Sequence, residues 1–333
     1  MAMRMNLALQ GGGAHGAFAW GVLDRLLEEG SFFPEAISGT SAGAMNAILL
    51  AHGWQRGGAD GARELLDEFW NKVSLSSPSQ LLSSQLPDAQ FSSMTGWMLD
   101  ILRYVSPYDL NPLDVNPLRS LLSELIDFDQ LRKDSPCKLF IAATAVNTGK
   151  IRLFRENELT VEHALASACL PTLHQAIDID GECFWDGGFS GNPAVYPLIF
   201  DCDAKDIMLV LLQPMQLDSV PTSSQAINQR VTELGFQSTF MREMRAISYS
   251  IQQAKKRFFF GSSMERRFKA LRFHLIESGE VLSSLEGSSK YDTRQSFLQE
   301  LKLKGRDEAD VWLQRNSSAI GVKSSCDVQS LFL

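Results

Sequence analysis

The sequence predicts an α/β fold with a parallel-rich sheet, and its first fifty residues carry most of that prediction. Asn6–Gln10 is a short apolar strand, Ala17–Glu29 has the apolar spacing of a helix, and Ala36–Ser38 is a second strand. A second helix, Ala44–Ala51, follows at once. Two strands joined by a helix form a βαβ unit, which favours a parallel sheet.

The overall composition indicates one large globular unit. Its 333 residues are 44% hydrophobic, so there is ample material for a core. The net charge of −8 argues against general binding of nucleic acid. Five cysteines lack CxxC spacing, which suggests reduced thiols and no metal site. We found no Sec-type signal peptide and no membrane-span pattern in the sequence, so we expect a cytoplasmic protein.

A serine between two glycines lies at the second strand-to-helix corner. The segment is Gly39, Thr40, Ser41, Ala42 and Gly43. Such a nucleophile elbow needs glycines beside a sharp turn, which exposes the serine hydroxyl above the sheet. The N-terminus of the next helix then directs N–H groups at developing negative charge.

The first strand runs into a glycine loop that has two interpretations. Its residues are Gly11, Gly12, Gly13, Ala14, His15 and Gly16. The spacing matches a dinucleotide fingerprint, with Glu35 as the acidic partner. It equally matches an oxyanion loop whose amides face the serine. The second strand ends in the elbow rather than in an acidic residue, which favours the oxyanion interpretation.

Later elements continue the pattern. Cys137–Val146 and Ile151–Phe154 predict a hairpin, and Glu182–Trp185 is a short strand before Asp186, Gly187 and Gly188. We further predict helices over Thr160–Cys169, Ser223–Lys256, Tyr291–Lys302 and Arg306–Arg315, a helix over Gly61–Val73, and strands over Asp206–Leu212 and Leu271–Ile276.

Two segments suggest contact with lipid, and each has a simpler alternative. The insertion 74–117 holds five of the twelve prolines and an apolar stretch, Phe91–Tyr104, which is either a lid or an ordinary packed helix. The basic segment Arg242–Arg272 has nine Lys or Arg and two Glu. Within it, Lys255–Phe260 is either a peripheral membrane contact or a solvated helix end.

A catalytic serine needs a base, and the sequence offers two kinds. No histidine lies in a triad context; of the five, only His174, in a loop, has free placement. Asp186 follows a strand and precedes two glycines, so its carboxylate could approach the serine closely and act as the base directly. A plain turn is the alternative, and sequence physics leaves the two open.

The three motifs together resemble those of the patatin-like phospholipases, in the family's order and spacing. The resemblance implies a three-layer α/β/α patatin-like fold, with a catalytic domain over 5–215 and a mainly helical part over 216–333 packed on it. It also implies a Ser41–Asp186 dyad, a glycine-loop oxyanion hole and an acyl-enzyme. The implied substrates are acyl glycerolipids, cleaved by phospholipase A or lysophospholipase activity, with no metal or cofactor.

Three positions depart from the family pattern. His15 stands where the family often has Arg or Lys, and Gln10 where it has Asp. His174 follows Pro171 where a bulky apolar residue and proline are usual, so His15 and His174 are possible pocket residues. Two other functions remain open: an esterase acting on soluble or storage esters, and a regulatory or partner-binding protein that keeps the fold without turnover.

Overall fold

The computed structural model of the chain describes residues 3–75, 105–217, 219–256, 262–279, 282, 285 and 287–333. The strands are β1 (Met3–Leu9), β2 (Phe32–Thr40), β3 (Lys138–Ala145), β4 (Ile151–Arg155), β5 (Ile177–Ile179), β6 (Glu182–Asp186), β7 (Asp206–Leu211) and β8 (Arg272–Glu277). The helices are α1 (Gly16–Glu29), α2 (Ala42–Leu75), α3 (Pro107–Leu110), α4 (Pro117–Leu125), α5 (Phe128–Asp134), α6 (Val161–Ser167), α7 (Tyr196–Phe200), α8 (Ser224–Lys256), α9 (Ser263–Ala270), α10 (Gln295–Asn316) and α11 (Val328–Phe332).

The strands form one mostly parallel sheet. Their order is β5-β6-β3-β2-β1-β7-β8, and β4 also pairs with β3. The five strands from β3 to β8 in this order are parallel, whereas β4, β5 and β6 are antiparallel to their neighbours. The predicted parallel βαβ unit and the β3–β4 hairpin are both confirmed.

The pairing around β3 places the ends of β2 and β6 side by side. β4 pairs with Phe140–Thr144 and β6 with Ala143–Ala145, so these two strands occupy opposite edges of β3. β2 also overlaps β4 along β3, so β2 and β6 share the other edge. β6 therefore continues the line of β2 from the opposite direction.

Helices cover both faces of the sheet, which makes the fold a three-layer α/β/α arrangement. Alternate residues of β1 divide between two cores, with Leu7 and Leu9 in one and Ala8 in the other. The first core includes residues of α1, α2 and α10, and the second includes residues of α7, α8 and α11. Period-two alternation with both faces buried is the pattern of a sheet between two helical layers.

One pair of predicted helices, Tyr291–Lys302 and Arg306–Arg315, was wrong, because the structure has a single helix there. The helices predicted on either side of Gly305 form one helix, α10. A Cβ at Gly305 would overlap the carbonyl oxygen of Phe18, and one at Gly21 would overlap that of Lys302. Both glycines permit close packing of α1 on α10. The two helices predicted after the elbow are confirmed: α2 is divided by a kink at Gly57 and Gly58, whose backbone angles are not helical.

Two predicted lipid contacts fall largely outside the described residues. Most of the insertion 74–117, including Phe91–Tyr104, lies there, as do positions 257–260 of the Lys255–Phe260 segment. Within the part of the chain that is described, every helix is too short or too polar to cross a bilayer. Residues beyond 215 contribute β8 to the sheet, so the C-terminal part shares the main structural layer.

Candidate active site

Ser41 occupies the elbow between β2 and α2 in a left-handed backbone conformation. Its φ of 55° is uncommon for a residue other than glycine and stores local strain. Backbones approach closely on both sides: a Cβ at Gly39 would lie 2.5 Å from the carbonyl oxygen of Gly43, and one at Gly43 would overlap the carbonyl oxygen of Leu9. The two flanking glycines are therefore required by space, as predicted from the motif.

Backbone and side-chain hydrogen bonds hold this turn in place. The carbonyl oxygen of Ser41 accepts from the amide of Met45 at 3.1 Å, which starts α2. The Ser41 amide donates to Oγ of Ser167 at 3.0 Å, and Oγ1 of Thr40 donates to the carbonyl oxygen of Gly191 at 2.7 Å. Ser41 takes part in these hydrogen bonds only through its amide and its carbonyl oxygen. Its half-buried hydroxyl is not used by them. Ser167 is the last residue of α6, and no motif in the sequence indicates this contact.

Asp186 ends β6 and is buried, with 1% of its surface exposed. Its amide donates to the carbonyl oxygen of Cys169 at 2.8 Å, and its own carbonyl oxygen accepts from Oγ1 of Thr144 at 2.8 Å. One carboxylate oxygen, Oδ1, accepts from the amide of Gly188 at 2.7 Å. The other, Oδ2, has no hydrogen-bond partner among the described residues. One oxygen thus anchors the side chain while the second is available to a proton.

The carboxylate of Asp186 and the hydroxyl of Ser41 lie together. Burial raises the pKa of Asp186 to about 6, against smaller lowering effects of the Gly188 amide and the Ser41 hydroxyl. The hydroxyl is close enough to affect this pKa, yet Oδ2 has no partner within hydrogen-bond distance. Contacts between a nucleophile and its base are often longer before substrate binds. A carboxylate with a pKa near 6 can accept a proton at neutral pH.

The glycines after Asp186 let this loop pack tightly. A Cβ at Gly187 would overlap the carbonyl oxygen of Ala142 in β3. A Cβ at Gly188 would overlap the ring of Phe236 in α8. The double glycine therefore lets the loop after Asp186 lie directly against β3 and α8.

The glycine loop contacts Ser41 through Gly11. The amide of Gly11, however, is bonded within the protein and so differs from the oxyanion donor that the resemblance implied. A Cβ at Gly11 would lie 2.7 Å from Cβ of Ser41, so the loop touches the serine directly. The Gly11 amide donates to Oδ1 of Asn192 at 2.7 Å and is not available to an oxyanion. The amides of Gly12 and Gly13 donate no hydrogen bond within the described chain, and Gly13 is exposed. These two remain as candidate donors.

Buried polar side chains fix the loop from behind. Oε1 of Gln10 accepts from the amides of Leu212 and Gln213 at 2.7 and 2.9 Å, and its Nε2 donates to the carbonyl oxygen of Asn192 at 3.4 Å. Gln10 therefore joins β1 to the end of β7 without a charge. The remaining loop residues, Ala14 and Gly16, are buried, and a Cβ at Gly16 would lie 2.6 Å from Cβ of Ala42.

The two histidines proposed as pocket residues differ. His15 is buried and shares a 2.8 Å hydrogen bond between Nε2 and Oγ of Ser289. Burial, and then the nearby Lys290 ammonium, lowers the pKa of His15 to about 3, so the ring is neutral at physiological pH. His174 is half-buried near Asp114, and burial lowers its pKa. No hydrogen bond or ion pair joins His174 to Ser41 or Asp186 among the described residues.

The other polar candidates are occupied elsewhere. Glu35 accepts from the amides of Asp203 and Ala204, both at 2.7 Å, near the start of β2. Its carboxylate is therefore engaged away from the glycine loop, which does not favour the dinucleotide interpretation. His274 contacts Asp206, and His163 bonds to Thr160 at the start of its own helix.

Comparison with known proteins gives one family match and several structural similarities. The family model described as patatin-like phospholipase matches residues 7–199. No curated protein matches the chain. The crystal structure of VipD from Legionella pneumophila is similar over 93% of the chain, at 16% identity and a TM-score of 0.46. The type III effector ExoU is similar over 94%, at 18% identity and a TM-score of 0.35.

A further similarity is to full-length ExoU in complex with SpcU, from the type III secretion system of Pseudomonas aeruginosa. It covers 96% of the chain and 78% of that protein, at 16% identity and a TM-score of 0.29. The chain spans 66% of VipD and 53% of the first ExoU structure, which is less than two thirds of each.

Proposed function

The chain belongs to the patatin-like phospholipase family, and on that premise we propose that it is a serine lipid acyl hydrolase of the phospholipase A or lysophospholipase type. One observation carries the proposal: the buried carboxylate of Asp186, with its pKa raised to about 6, adjoins the hydroxyl of Ser41 at a strained elbow. In this account Ser41 is the nucleophile and Asp186 is the base.

The first step forms the acyl-enzyme. Oγ of Ser41 attacks the ester carbonyl carbon, and its proton passes to Oδ2 of Asp186, the oxygen without another partner. The tetrahedral intermediate collapses with cleavage of the bond to the alcohol oxygen. Asp186 gives its proton to that leaving oxygen, so the carboxylate is restored.

Backbone amides stabilise the charge on the intermediate. The donors are the amides of Gly12 and Gly13, supported by the N-terminus of α2 at Ala42. Each donor of this type contributes about 3–4 kcal/mol of transition-state stabilisation. Gly11 acts differently: its missing side chain lets the loop approach Ser41, and its amide is held by Asn192.

Water completes the cycle. Asp186 removes a proton from a water molecule as that water attacks the acyl carbon of the acyl-enzyme. Collapse of the second intermediate breaks the bond to Oγ of Ser41, which recovers the proton from Asp186. The products are a fatty acid and an alcohol. The alcohol is a lysophospholipid when the substrate is a diacyl phospholipid, and a glycerophosphodiester when the substrate is a lysophospholipid.

The substrate class is tested with phosphatidylcholine vesicles and a short-chain nitrophenyl ester side by side, with products identified by mass spectrometry. We expect wild type to release fatty acid from vesicles, and Ser41→Ala and Asp186→Asn to lose at least about 10³-fold in rate. Ser38→Ala is the matched control, because Oγ of Ser38 is buried in β2 with no described partner. Its rate should equal that of wild type.

Three outcomes would count against parts of the proposal. Full activity in Ser41→Ala would mean that another group is the nucleophile. Turnover of the short-chain ester without turnover of vesicles would favour a soluble or storage ester as substrate. Absence of turnover and of active-site labelling in wild type would favour a regulatory protein that keeps the fold.

A further inference from the structure

A short turn from the C-terminal part packs directly on the glycine loop. The turn is Gly287–Tyr291. Gly13 has a φ of 60°, and a Cβ there would overlap the carbonyl oxygen of Lys290. Beside it, Oγ of Ser289 shares the 2.8 Å hydrogen bond with Nε2 of the buried His15. The loop that carries the proposed oxyanion donors is therefore bounded by this turn on one side and by Ser41 on the other.

Helix α8 holds the turn in position. The amide of Gly287 donates to Oε1 of Gln229 at 3.0 Å, and Nε2 of Gln229 donates to Oε1 of Glu233 at 3.0 Å. The same carboxylate oxygen lies 3.9 Å from Nζ of Lys290. Both ends of the turn are thus connected to Glu233 on α8: Gly287 through Gln229, and Lys290 directly. Glu233 is 9% exposed.

The same face of α8 contacts the other half of the active site. Gln229, Glu233 and Phe236 are spaced i, i+4 and i+7, so they lie on one side of the helix. The ring of Phe236 packs against Gly188, whose amide bonds to Asp186. The centroid of the Phe236 ring also lies 4.8 Å from the centroid of the Phe189 ring. One helix, outside the span 7–199 that the family model matches, therefore contacts the Asp186 loop directly and the glycine loop through the turn Gly287–Tyr291.

We propose that His15 and Ser289 are positioning residues: the turn Gly287–Tyr291, held by α8, fixes the glycine loop so that its amides face the tetrahedral intermediate formed on Ser41. This inference rests on the proposed function. It assigns the C-terminal part a role in catalysis, since the relative position of the oxyanion donors and Asp186 depends on α8. Neither residue contacts the substrate in this account; both act through the backbone of Gly13 and its neighbours.

The test compares variants that keep or remove the His15–Ser289 hydrogen bond in the full chain. His15→Gln and Ser289→Thr retain a polar partner, whereas His15→Leu and Ser289→Ala remove one. Ser318→Ala is the control, since Ser318 is exposed in the same C-terminal part. For each variant, kcat and KM are measured on the short-chain ester, and the free energy of unfolding is measured with urea.

We expect Ser289→Ala and His15→Leu to lower kcat by about 10- to 100-fold with KM within about twofold, because a small displacement of oxyanion donors affects the transition state more than substrate binding. Ser289→Thr and His15→Gln should recover most of kcat. The double variant His15→Leu/Ser289→Ala should be no worse than either single variant. This pattern distinguishes positioning from a loss of stability, which would reduce the active fraction of enzyme without rescue by the polar variants.

An unchanged kcat in both Ser289→Ala and His15→Leu, with wild type active, overturns this inference and leaves the proposed function intact. Equal losses in the polar and apolar variants also overturn it. A wild type that neither turns over ester nor reacts with an active-site label overturns the proposed function itself, so the two failures are distinguishable.

Discussion

Thr40 and Asp186 pair with consecutive residues on one edge of β3. Thr40, at the end of β2, is the register partner of Ala142, and Asp186, at the end of β6, is the partner of Ala143. Because β2 and β6 run in opposite directions, their carboxyl ends meet at this point. The hydroxyl of the next residue, Ser41, and the carboxylate of Asp186 come together although 145 positions separate them in the chain.

The pH dependence of turnover should follow the ionisation of Asp186. Its pKa is raised to about 6 by burial, and only the ionised form accepts the proton of Ser41. We expect kcat/KM on a short-chain ester to rise about tenfold per pH unit below pH 6 and to level off above it. Measurement from pH 4.5 to 8.5 checks this. A flat profile between pH 5 and 8 would show that Asp186 does not supply the base.

Asp186→Asn should stabilise the protein while it abolishes turnover. The folded pKa of about 6 exceeds the ordinary value of 3.8, so the stability gained from the neutral carboxyl is present below pH 4 and is lost as pH rises through 6. Above pH 6 the buried charge costs up to about 3 kcal/mol. Urea unfolding at pH 7.5 should show a gain of up to this size, shrinking towards zero at pH 4. A loss of stability at pH 7.5 would contradict the assignment.

Asn192 should matter for both stability and rate. Its Oδ1 accepts from the buried amide of Gly11, which contacts Ser41. In Asn192→Ala this amide loses its partner, at a cost of about 1–3 kcal/mol, and the loop is free to shift. We expect kcat to fall about 10- to 100-fold with little change in KM. Asn228→Ala, at an exposed position, is the control. An Asn192→Ala enzyme with wild-type kcat would exclude this role.

Asp206 should stabilise the join between the sheet and the C-terminal segment. Its carboxylate accepts from Arg272 at 2.9 and 2.6 Å, from Nε2 of His274 at 3.0 Å and from the amide of Gly321 at 2.9 Å. Burial alone would raise its pKa, but the bonds from His274 and Arg272 outweigh burial and hold the pKa well below its usual range.

Asp206→Asn should therefore reduce the free energy of unfolding by roughly 3–5 kcal/mol at pH 7, since the positive charge of Arg272 is left unpaired. The folded pKa is depressed, so the effect is present above the unfolded pKa and decreases as pH falls below about 4. Asp203→Asn, at an exposed position, should change stability by less than about 0.5 kcal/mol. Equal stabilities of the two variants at pH 7 would contradict the prediction.

The local features of the fold were predictable from sequence because they depend on neighbours in the chain. The βαβ unit, the elbow at Ser41, the hairpin after β3 and the long helix α8 follow from apolar spacing and turn chemistry. The prediction of two helices on either side of Gly305 was wrong for a physical reason. Glycine weakens an isolated helix, whereas Gly305 permits close contact between α10 and Phe18 of α1. No local pattern distinguishes these two uses.

The parts of the site that could not be predicted from the sequence are contacts between residues far apart in the chain. Gly11 and Asn192 are 181 positions apart, and Ser41 and Ser167 are 126 apart. Asn192 gave a weak signal, as a polar residue before proline just after the Asp-Gly-Gly motif. Ser167 gave none. The direction of β6, which brings Asp186 to the end of β2, likewise depends on strand pairing that the local pattern does not specify.

The most direct test of the account is the rate and position of labelling by a fluorophosphonate, mapped by mass spectrometry in wild type, Ser41→Ala, Asp186→Asn and Ser38→Ala. We predict one label on Ser41 in wild type and in Ser38→Ala, none at that position in Ser41→Ala, and labelling slowed by about 10²- to 10⁴-fold in Asp186→Asn. A label on a different serine, or an unchanged rate in Asp186→Asn, would contradict the claim that this carboxylate activates Ser41.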